Sequence, residues 1–382
     1  MMVKSSKNIS VLLLFSLLFF DSKSVYAQSK DSIIQFVFTS DVHFGLTKEN
    51  FRGQKNVSAA TVNKAMADEI NQLSTKNFPL DNGVQSNKSI KYLDAIVITG
   101  DIANRMENGI QSATKSWNEF STVFVEGLKI KKNIKDKSDL LIVPGNHDMS
   151  NAIGFHRPMQ PKKDPASMLG IYNLMFPNEK KLTVFDSTVC RIHFSRDIKG
   201  VHFIFLSLWP DSTEQVWIEK DLKKVSKSTP VLLFAHSVPY VEARFFVNPN
   251  GDHDINETDK FENLVPEMYK DGFDVKGETL IEQKSFAAFI KKHPSIKAYF
   301  HGHENFTEYY HWKGPDSTIN LSCIRTDSPM KGKSSAKDES KLAYEIVSIN
   351  TISKVLTVRE VLWNTTASAG VLKWGESINI KL

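Results

Sequence analysis

Short apolar runs that end in polar, metal-binding types of residue constrain the fold of this chain more than any other feature. Each run is rich in β-branched, aromatic or other large apolar residues. The runs are Ile33–Thr39, Leu93–Thr99, Leu140–Val143, Val231–Ala235 and Ile296–Phe300. Continuous apolar runs of this length are typical of strands that are buried on both faces. The pattern therefore predicts a sheet whose two faces are both covered.

Helical patterns lie between these runs, at Ala59–Leu73 and Lys115–Ile130. Alternating strands and helices indicate an α/β architecture with helices on the sheet. In such folds the polar residues at the carboxyl ends of the strands meet in one crevice. Near the end of the chain, Leu342–Ile349 and Val355–Trp363 alternate like half-buried antiparallel strands joined by a turn.

The start of the chain has the pattern of a secretory signal peptide. Lys4 and Lys7 precede the apolar run SVLLLFSLLFF, and Val25-Tyr26-Ala27 places small residues where a signal peptidase cleaves. The run is too short for a comfortable membrane span. We therefore expect residues 1–27 to be removed, giving a secreted or periplasmic protein with no stable membrane anchor. An uncleaved N-terminal anchor is the alternative.

The remaining chain predicts one domain over residues 31–365, with a polar insertion at about 247–282 and a C-terminal tail over 366–382. The Ser/Lys-rich segment Ser328–Lys341 is expected to be a solvated loop. The formal net charge of +5 is mild and the charges are interspersed, which argues against a nucleic-acid partner.

The chain contains two cysteines, Cys190 and Cys323. They either form one disulfide in an oxidising compartment or remain buried thiols, and the sequence leaves both open. Two are too few for a thiolate zinc site.

The residues that follow the predicted strands are of the types that bind divalent metal ions. They are Asp41 and His43, Asp101, Asn146, His147 and Asp148, His236, and finally His301, His303 and Asn305. Carboxylates suit hard cations, whereas zinc and iron also accept imidazole. Each fragment alone is weak evidence, because such residues usually cap helices or sit in turns. Their occurrence at successive strand ends predicts a metal site.

The segments SDVHFG, TGDIAN, PGNHD, AHSVP and HGHEN resemble, in this order, the motifs of the calcineurin-like metallophosphoesterases. The resemblance runs from about Phe36 to at least Asn305. It implies a two-sheet β-sandwich flanked by helices, in a four-layer αββα arrangement, with two divalent ions (Mn, Mg, Zn or Fe) in the crevice. By motif, the implied ligands are Asp41 and His43 for the first ion, Asp101 for both ions, and Asn146, His236 and His303 for the second.

The resemblance also implies hydrolysis of a small phosphomonoester or phosphodiester by a hydroxide that bridges the two ions. His147 resembles the general acid that protonates the leaving oxygen, and Asp148 is expected to orient it. A histidine that only positions Asn146 is the alternative role for His147. A catalytically inactive protein that binds a phosphate ligand on the same fold is the alternative function.

Arg105, in GDIANR, stands where the protein phosphatases of the family carry a phosphate-clamping arginine in D-R-G. Here Asn104 and Met106 replace the flanking residues, which argues against a serine/threonine protein phosphatase. Arg244 is an alternative clamp.

The last motif, HGHEN, is a variant of the family's G-H-x-H, with Asn305 in place of the second histidine. An amide oxygen is a neutral ligand that suits Mg²⁺ or Mn²⁺ better than Zn²⁺. We therefore expect Asn305 to complete the first metal site. His301 is ranked below Asn305 because it precedes the glycine of the motif.

Overall fold

The computed structural model describes residues 32–103, 111–150, 164–185, 191–240, 280–366 and 371–382. Within these ranges the chain forms two six-stranded sheets and a two-stranded hairpin. The strands are β1 Ile33–Thr39, β2 Thr47–Phe51, β3 Gln54–Ser58, β4 Ala95–Thr99, β5 Asp139–Val143, β6 Phe194–Ile198, β7 Val201–Phe205, β8 Val231–Phe234, β9 Ile296–His301, β10 Glu308–Trp312, β11 Leu321–Arg325, β12 Ala343–Asn350, β13 Val355–Leu362 and β14 Lys373–Lys381. The helices are α1 Ala59–Gln72, α2 Ala113–Phe120, α3 Asn146–Ser150, α4 Ala166–Met175, α5 Ser212–Leu222 and α6 Leu280–Lys292.

The strand order brings the carboxyl ends of the central strands to one side of each sheet. The first sheet runs β14-β13-β12-β1-β4-β5, and the second runs β10-β11-β9-β8-β7-β6. In the first sheet β1, β4 and β5 are parallel neighbours. In the second, β7, β8, β9 and β11 are parallel neighbours. Their carboxyl ends therefore open onto a common edge, as the sequence pattern predicts.

Aromatic side chains fill the space between the two sheets. Phe36 of β1 lies 5.5 Å from Phe203, 5.8 Å from Phe234 and 5.8 Å from Phe300, measured between ring centroids. Phe38, two residues on, lies 5.2 Å from Phe300. Because side chains alternate along a strand, Phe36 and Phe38 share the inner face of the first sheet. These contacts make the two sheets a sandwich with an aromatic centre.

Helices cover the outer faces of the sandwich. On the first sheet, the Asn63 side chain of α1 donates a 2.7 Å hydrogen bond to the Val42 carbonyl, just after β1. On the second sheet, Phe286 of α6 packs on Tyr299 of β9 at 6.0 Å. The layers are therefore helix, sheet, sheet and helix, which confirms the predicted architecture. Among the described helices, none combines the length and apolar character needed to cross a bilayer.

The predicted strands and helices agree closely with those observed, and α1 begins at Ala59 as expected. Its N-cap, Ser58, accepts a hydrogen bond from Thr61 N at 3.3 Å. Helix α2 is shorter than predicted. It ends at Phe120 and is followed by a π-helical turn over Ser121–Glu126.

The predicted C-terminal tail contains a strand. Strand β14 pairs antiparallel with β13 at the edge of the first sheet. Its only large apolar residues are Trp374, Ile378 and Ile380, and most of its side chains are exposed or half-buried, so the apolar pattern is too sparse to reveal a strand. The folded domain therefore continues to Lys381, beyond the boundary at residue 365 predicted from the sequence.

Candidate metal centre

The loops that follow β1, β4, β5, β8 and β9 meet at one end of the sandwich. Backbone hydrogen bonds join neighbouring loops within each sheet, and His303 N donates to Asp41 Oδ2 at 2.9 Å between the two sets of loops. Asp41 N donates to Gly100 O at 3.0 Å, and Gly302 N donates to His236 O at 3.1 Å. The residues that the sequence places at separate strand ends are thus brought into one cluster.

Several candidate ligands have a left-handed backbone conformation, which non-glycine residues rarely adopt. The φ angles are 54° at Asp41, 41° at His43, 51° at Asp101, 70° at His303 and 59° at Asn305. Such residues cost about 1–3 kcal/mol each and gather at functional sites. The turn at each strand end redirects the side chain towards the common crevice.

Two motif glycines allow the loops to approach this closely. Gly100 has a φ of 92°, and a Cβ there would overlap the backbone of Gly145. A Cβ on Gly302 would overlap the side chains of Ser40 and Asp41. The glycines of TGD and HGH are therefore required by packing against neighbouring ligand loops.

The Asp101 carboxylate lies at the centre of the cluster. Its Oδ2 atom is 3.4 Å from His236 Nε2, 3.6 Å from His43 Nε2 and 3.9 Å from His147 Nε2. Two groups of possible ligands share this carboxylate: His43, Asp101 and His147 in one, and Asp41, Asp101 and His236 in the other. All of these side chains are buried. Asp101 is thus common to both groups of possible ligands.

Asn146, His236 and His303 form a second set of converging donor atoms. His236 Nε2 lies 2.9 Å from Asn146 Oδ1 and 3.1 Å from His303 Nδ1, and the latter two atoms are 3.2 Å apart. His236 Nδ1 donates to the Thr99 carbonyl at 2.7 Å. That bond orients the ring and leaves Nε2 to face the cluster, as in histidines that bind metals.

These residues fit divalent metal ions. Ligands that lie about 2.1 Å from an ion are separated from one another by roughly 3.0–3.4 Å. The separations around Asn146, His236 and His303 fall close to that range. In addition, Asp41 Oδ1 is buried and has no hydrogen-bond partner within the described residues, so a lone pair remains available in a site made of carboxylate, imidazole and amide groups.

The electrostatics of the cluster favour a cation. Burial lowers the pKa of His236, but the carboxylates of Asp101 and Asp41 outweigh this effect and raise it to about 9. Burial raises the pKa of Asp101, but the imidazoles of His236 and His147 hold it well below its usual value. Burial raises the pKa of Asp41 to about 6. The buried carboxylates therefore hold positive charge close by, and a bound ion would supply it.

Comparison with protein-family models decides the family. The model of the calcineurin-like phosphoesterases matches residues 34–306, which cover most of the chain and every candidate ligand. The chain belongs to the calcineurin-like phosphoesterase family. Members of this family are metal-dependent, and the donor groups around Asp101 agree with that dependence. A comparison with curated protein sequences returned no match.

The solved structures that are similar to this phosphoesterase at low identity include the following three. YfkN of Bacillus subtilis, a calcineurin-like phosphoesterase, is 10% identical with a TM-score of 0.33, covering 92% of this chain and 90% of its own. The phosphopantetheinyl hydrolase PptH of Mycobacterium tuberculosis is 12% identical with a TM-score of 0.32, covering 78% and 91%. Wild-type Vps29 of Entamoeba histolytica, complexed with Zn²⁺, is 10% identical with a TM-score of 0.33, covering 91% and 99%. Likenesses of this size carry no information about substrate.

In the phosphoesterase, Asp148 holds the metal-binding loops together. Its Oδ1 accepts hydrogen bonds from Ile102 N at 3.1 Å and Ala103 N at 2.9 Å, and its Oδ2 accepts one from Gly145 N at 2.9 Å. Burial, reinforced by the nearby Asp101, raises the pKa of Asp148 to about 7. These contacts join the loops after β4 and β5, a different role from the predicted one of orienting His147, which stays a prediction.

The two candidates for completing the first site differ in their surroundings. Asn305 Nδ2 donates to His303 O at 3.0 Å, while Asn305 Oδ1 is buried without a hydrogen-bond partner in the described part of the chain. His301 lies on the outer face of β9, where Nε2 is 2.8 Å from Tyr310 Oη and Nδ1 is 3.1 Å from Gly302 O. Both ring nitrogens of His301 therefore have partners away from the cluster, and the ranking of Asn305 above His301 stays a prediction.

A segment that the sequence analysis missed packs against the site. Residues 326–330 are buried, although a solvated loop was predicted to begin at Ser328; that prediction is wrong for its first residues. Ser328 Oγ donates to the Asp41 carbonyl at 2.7 Å. Lys331 Nζ lies 3.5 Å from His147 Nε2. The available signal was the strand-like run Leu321–Arg325, whose end lies beside that of β9.

Other predicted residues lie outside the described residues, namely Arg105, Arg244 and Cys190, together with the signal peptide and most of the polar insertion. Cys323 is a buried thiol in β11, and burial raises its pKa to about 12. Because Cys190 lies outside the described residues, whether the two cysteines form a disulfide stays open. His202 is buried between Asp221 at 2.9 Å and Asp197 at 2.7 Å, remote in sequence from the ligand motifs.

Proposed function

We propose that this phosphoesterase hydrolyses a small phosphate ester at a two-metal centre in which Asp101 is shared by both ions. The observation that carries this proposal is the position of Asp101 Oδ2, within 3.4–3.9 Å of imidazole nitrogens from three different loops. Asp41 and His43 would hold the first ion with Asn305. Asn146, His236 and His303 would hold the second.

When bound, the two ions polarise the phosphoryl oxygens and make a water molecule nucleophilic near neutral pH. The protein's own contribution is to fix the donor atoms and to exclude bulk water from them. Asp101 Oδ1 accepts the backbone N–H of His147 at 3.0 Å, which fixes the backbone that carries the His147 side chain. Attack of water on phosphorus would form a new P–O bond as the P–O bond to the alcohol breaks. The water would lose one proton to solvent, and His147 would supply the proton that the leaving oxygen takes up.

The test is the substitution Asp101→Asn. Loss of the shared carboxylate removes several kcal/mol of transition-state stabilisation, so turnover should fall at least about a thousandfold. Turnover of 4-nitrophenyl phosphate and of bis(4-nitrophenyl) phosphate would be measured after loading with Mn²⁺, Mg²⁺, Zn²⁺ or Fe²⁺, with the bound metal counted by mass spectrometry. Asp68→Asn, on the exposed face of α1, is the matched control and should leave turnover unchanged.

Unchanged turnover in Asp101→Asn would overturn the proposed site. Two bound ions per chain in the unaltered protein, with no turnover of either ester, would instead favour the alternative of a phosphate-ligand binding protein. Export after cleavage behind Ala27 stays a prediction from the sequence, as does the absence of a nucleic-acid partner.

A further inference from the structure

Lys331 brings a positive charge to the edge of the metal centre. Its Nζ atom is 3.5 Å from His147 Nε2, and that nitrogen is 3.9 Å from Asp101 Oδ2. His147 Nε2 thus lies between the ammonium group and the carboxylate at the centre of the cluster, within 4 Å of each. Lys331 is half-buried, and its Nζ atom lies beside the cluster of candidate ligands.

The segment that carries Lys331 is anchored on the metal-binding loops. Ser328 Oγ donates to the Asp41 carbonyl at 2.7 Å and accepts from Lys331 N at 2.9 Å. Two residues further on, Lys333 N donates to the Asn305 carbonyl at 2.7 Å. The backbone on both sides of Lys331 is therefore fixed to loops that carry candidate ligands.

A tight turn further restrains this segment. A Cβ on Gly332 would overlap the side chains of Asp327 and Ser335. Ser335 Oγ donates to the Ser328 carbonyl at 3.5 Å. Residues 327–335 thus form a compact turn, and Lys331 lies within it.

A phosphomonoester and a phosphodiester differ in the group that such a lysine would meet. Apart from the leaving oxygen, a monoester has three non-bridging oxygens that share two negative charges near neutral pH. A diester has two non-bridging oxygens and one charge, because its third oxygen carries another alcohol. An ammonium group beside the crevice gains most from the more highly charged ester, through a charge-assisted hydrogen bond.

We propose that Lys331 binds a non-bridging phosphoryl oxygen and makes phosphomonoesters the preferred substrate class, an inference that rests on the proposed phosphoesterase function. In this role Lys331 contacts the substrate, while His147 beside it serves the leaving oxygen. From the loop after β11, Lys331 would neutralise phosphate charge, which is the role that the motif resemblance implies for Arg105.

Lys333 is the matched control for this role. It belongs to the same turn and has the same charge, but 61% of its side chain is exposed. Its Nζ pairs with Glu304 at 3.5 Å and lies 4.3 Å from the Phe306 ring centroid. Lys333→Gln therefore removes a charge from the same segment without removing the contact to His147.

The experiment compares Lys331→Gln, Lys331→Arg and Lys333→Gln in the metal-loaded protein. For Lys331→Gln, kcat/KM should fall about 10- to 100-fold on 4-nitrophenyl phosphate and less than about threefold on bis(4-nitrophenyl) phosphate. Lys331→Arg should recover most of the monoester activity, and Lys333→Gln should match the unaltered protein. Equal losses on the two esters, or no loss on the monoester, would overturn the proposal.

Calorimetric binding of inorganic phosphate separates this inference from the proposed function. Phosphate affinity should fall about tenfold in Lys331→Gln and stay unchanged in Lys333→Gln, with the same metal content in all variants. This measurement needs no turnover, so it still tests Lys331 if neither ester is hydrolysed. Equal phosphate affinity in Lys331→Gln and the unaltered protein would contradict the role of the lysine, whatever the activity.

Discussion

The interface between the two sheets and the loops at the ends of the same strands are built in opposite ways. At the centre of the space between the sheets, the rings of Phe36, Phe234 and Phe300 pack against one another. A few residues further along the chain, Asp41 and His43 are buried polar groups on left-handed backbone. One region has apolar contacts and ordinary extended geometry, whereas the other combines buried polarity with strain.

This difference indicates that the interface supplies stability, whereas the loops reduce it. Each left-handed residue costs about 1–3 kcal/mol, and burial makes ionisation of Asp41 and Asp148 less favourable, as their raised pKa values show. Aromatic pairs contribute about 0.5–1.5 kcal/mol each beyond the free energy of burying their surface. The interface therefore stabilises the fold in which the strained loops are held. Substitutions in the two regions should accordingly separate stability from activity.

The largest expected effect is on stability, from Phe234→Ala at the centre of the interface. Phe234 lies 4.8 Å from both Phe205 and Phe300, so its removal leaves a cavity between the sheets. We expect a loss of about 3–5 kcal/mol in the free energy of unfolding, measured by chemical denaturation. The control is Leu80→Ala, because Leu80 is 86% exposed and should change stability little. An unchanged free energy of unfolding in Phe234→Ala would contradict the claim that the aromatic interface stabilises the fold.

A smaller effect, shared between stability and activity, is expected for Asp148→Asn. The amide NH₂ would face the backbone donors of Ile102, Ala103 or Gly145, which now donate to a carboxylate. We expect a loss of about 1–3 kcal/mol in stability and about 10- to 100-fold in turnover. Both would be measured at pH 8, above the raised pKa of about 7, where the carboxylate of the unaltered protein is mostly ionised.

The control for this substitution is Asp211→Asn, at the N-cap of α5. Asp211 Oδ1 accepts from Glu214 N at 2.8 Å, and asparagine is an equally good N-cap. Its turnover should be unchanged. If Asp148→Asn lost stability but kept full turnover, Asp148 would belong with the packing region rather than with the site.

The sequence predicts the interface and most of the candidate site because both depend on local patterns. Apolar runs reveal the inner strands, and the ligand-type residues lie directly after them. By contrast, nothing local in Lys331 or Ser328 shows that their segment packs on Asp41, since that contact follows from the pairing of β11 with β9. Strand β14 was missed for a related reason, because its edge position leaves few of its side chains buried.

The site and the packing region meet at the end of β9, where His301 and Asn305 are only four residues apart. His301 is the last residue of the strand, and its pKa is held well below its usual value by burial and by the Arg325 charge. Asn305 follows the turn, with its Oδ1 atom buried and without a hydrogen-bond partner in the described residues. Within this single motif, His301 therefore belongs to the packing region and Asn305 to the candidate site.

The smallest effect is expected here, on metal affinity. Asn305→His supplies an imidazole nitrogen, which Zn²⁺ prefers over an amide oxygen, so Zn²⁺ affinity should rise about tenfold relative to Mn²⁺ affinity. In His301→Phe, Zn²⁺ affinity should change less than about twofold, because the ring that is replaced contacts Tyr310 and Gly302. Competition with a chromophoric chelator measures both. A loss of Zn²⁺ affinity in His301→Phe, with none of the expected gain in Asn305→His, would contradict this prediction. It would indicate that His301, at the end of β9, completes the first metal site instead of Asn305.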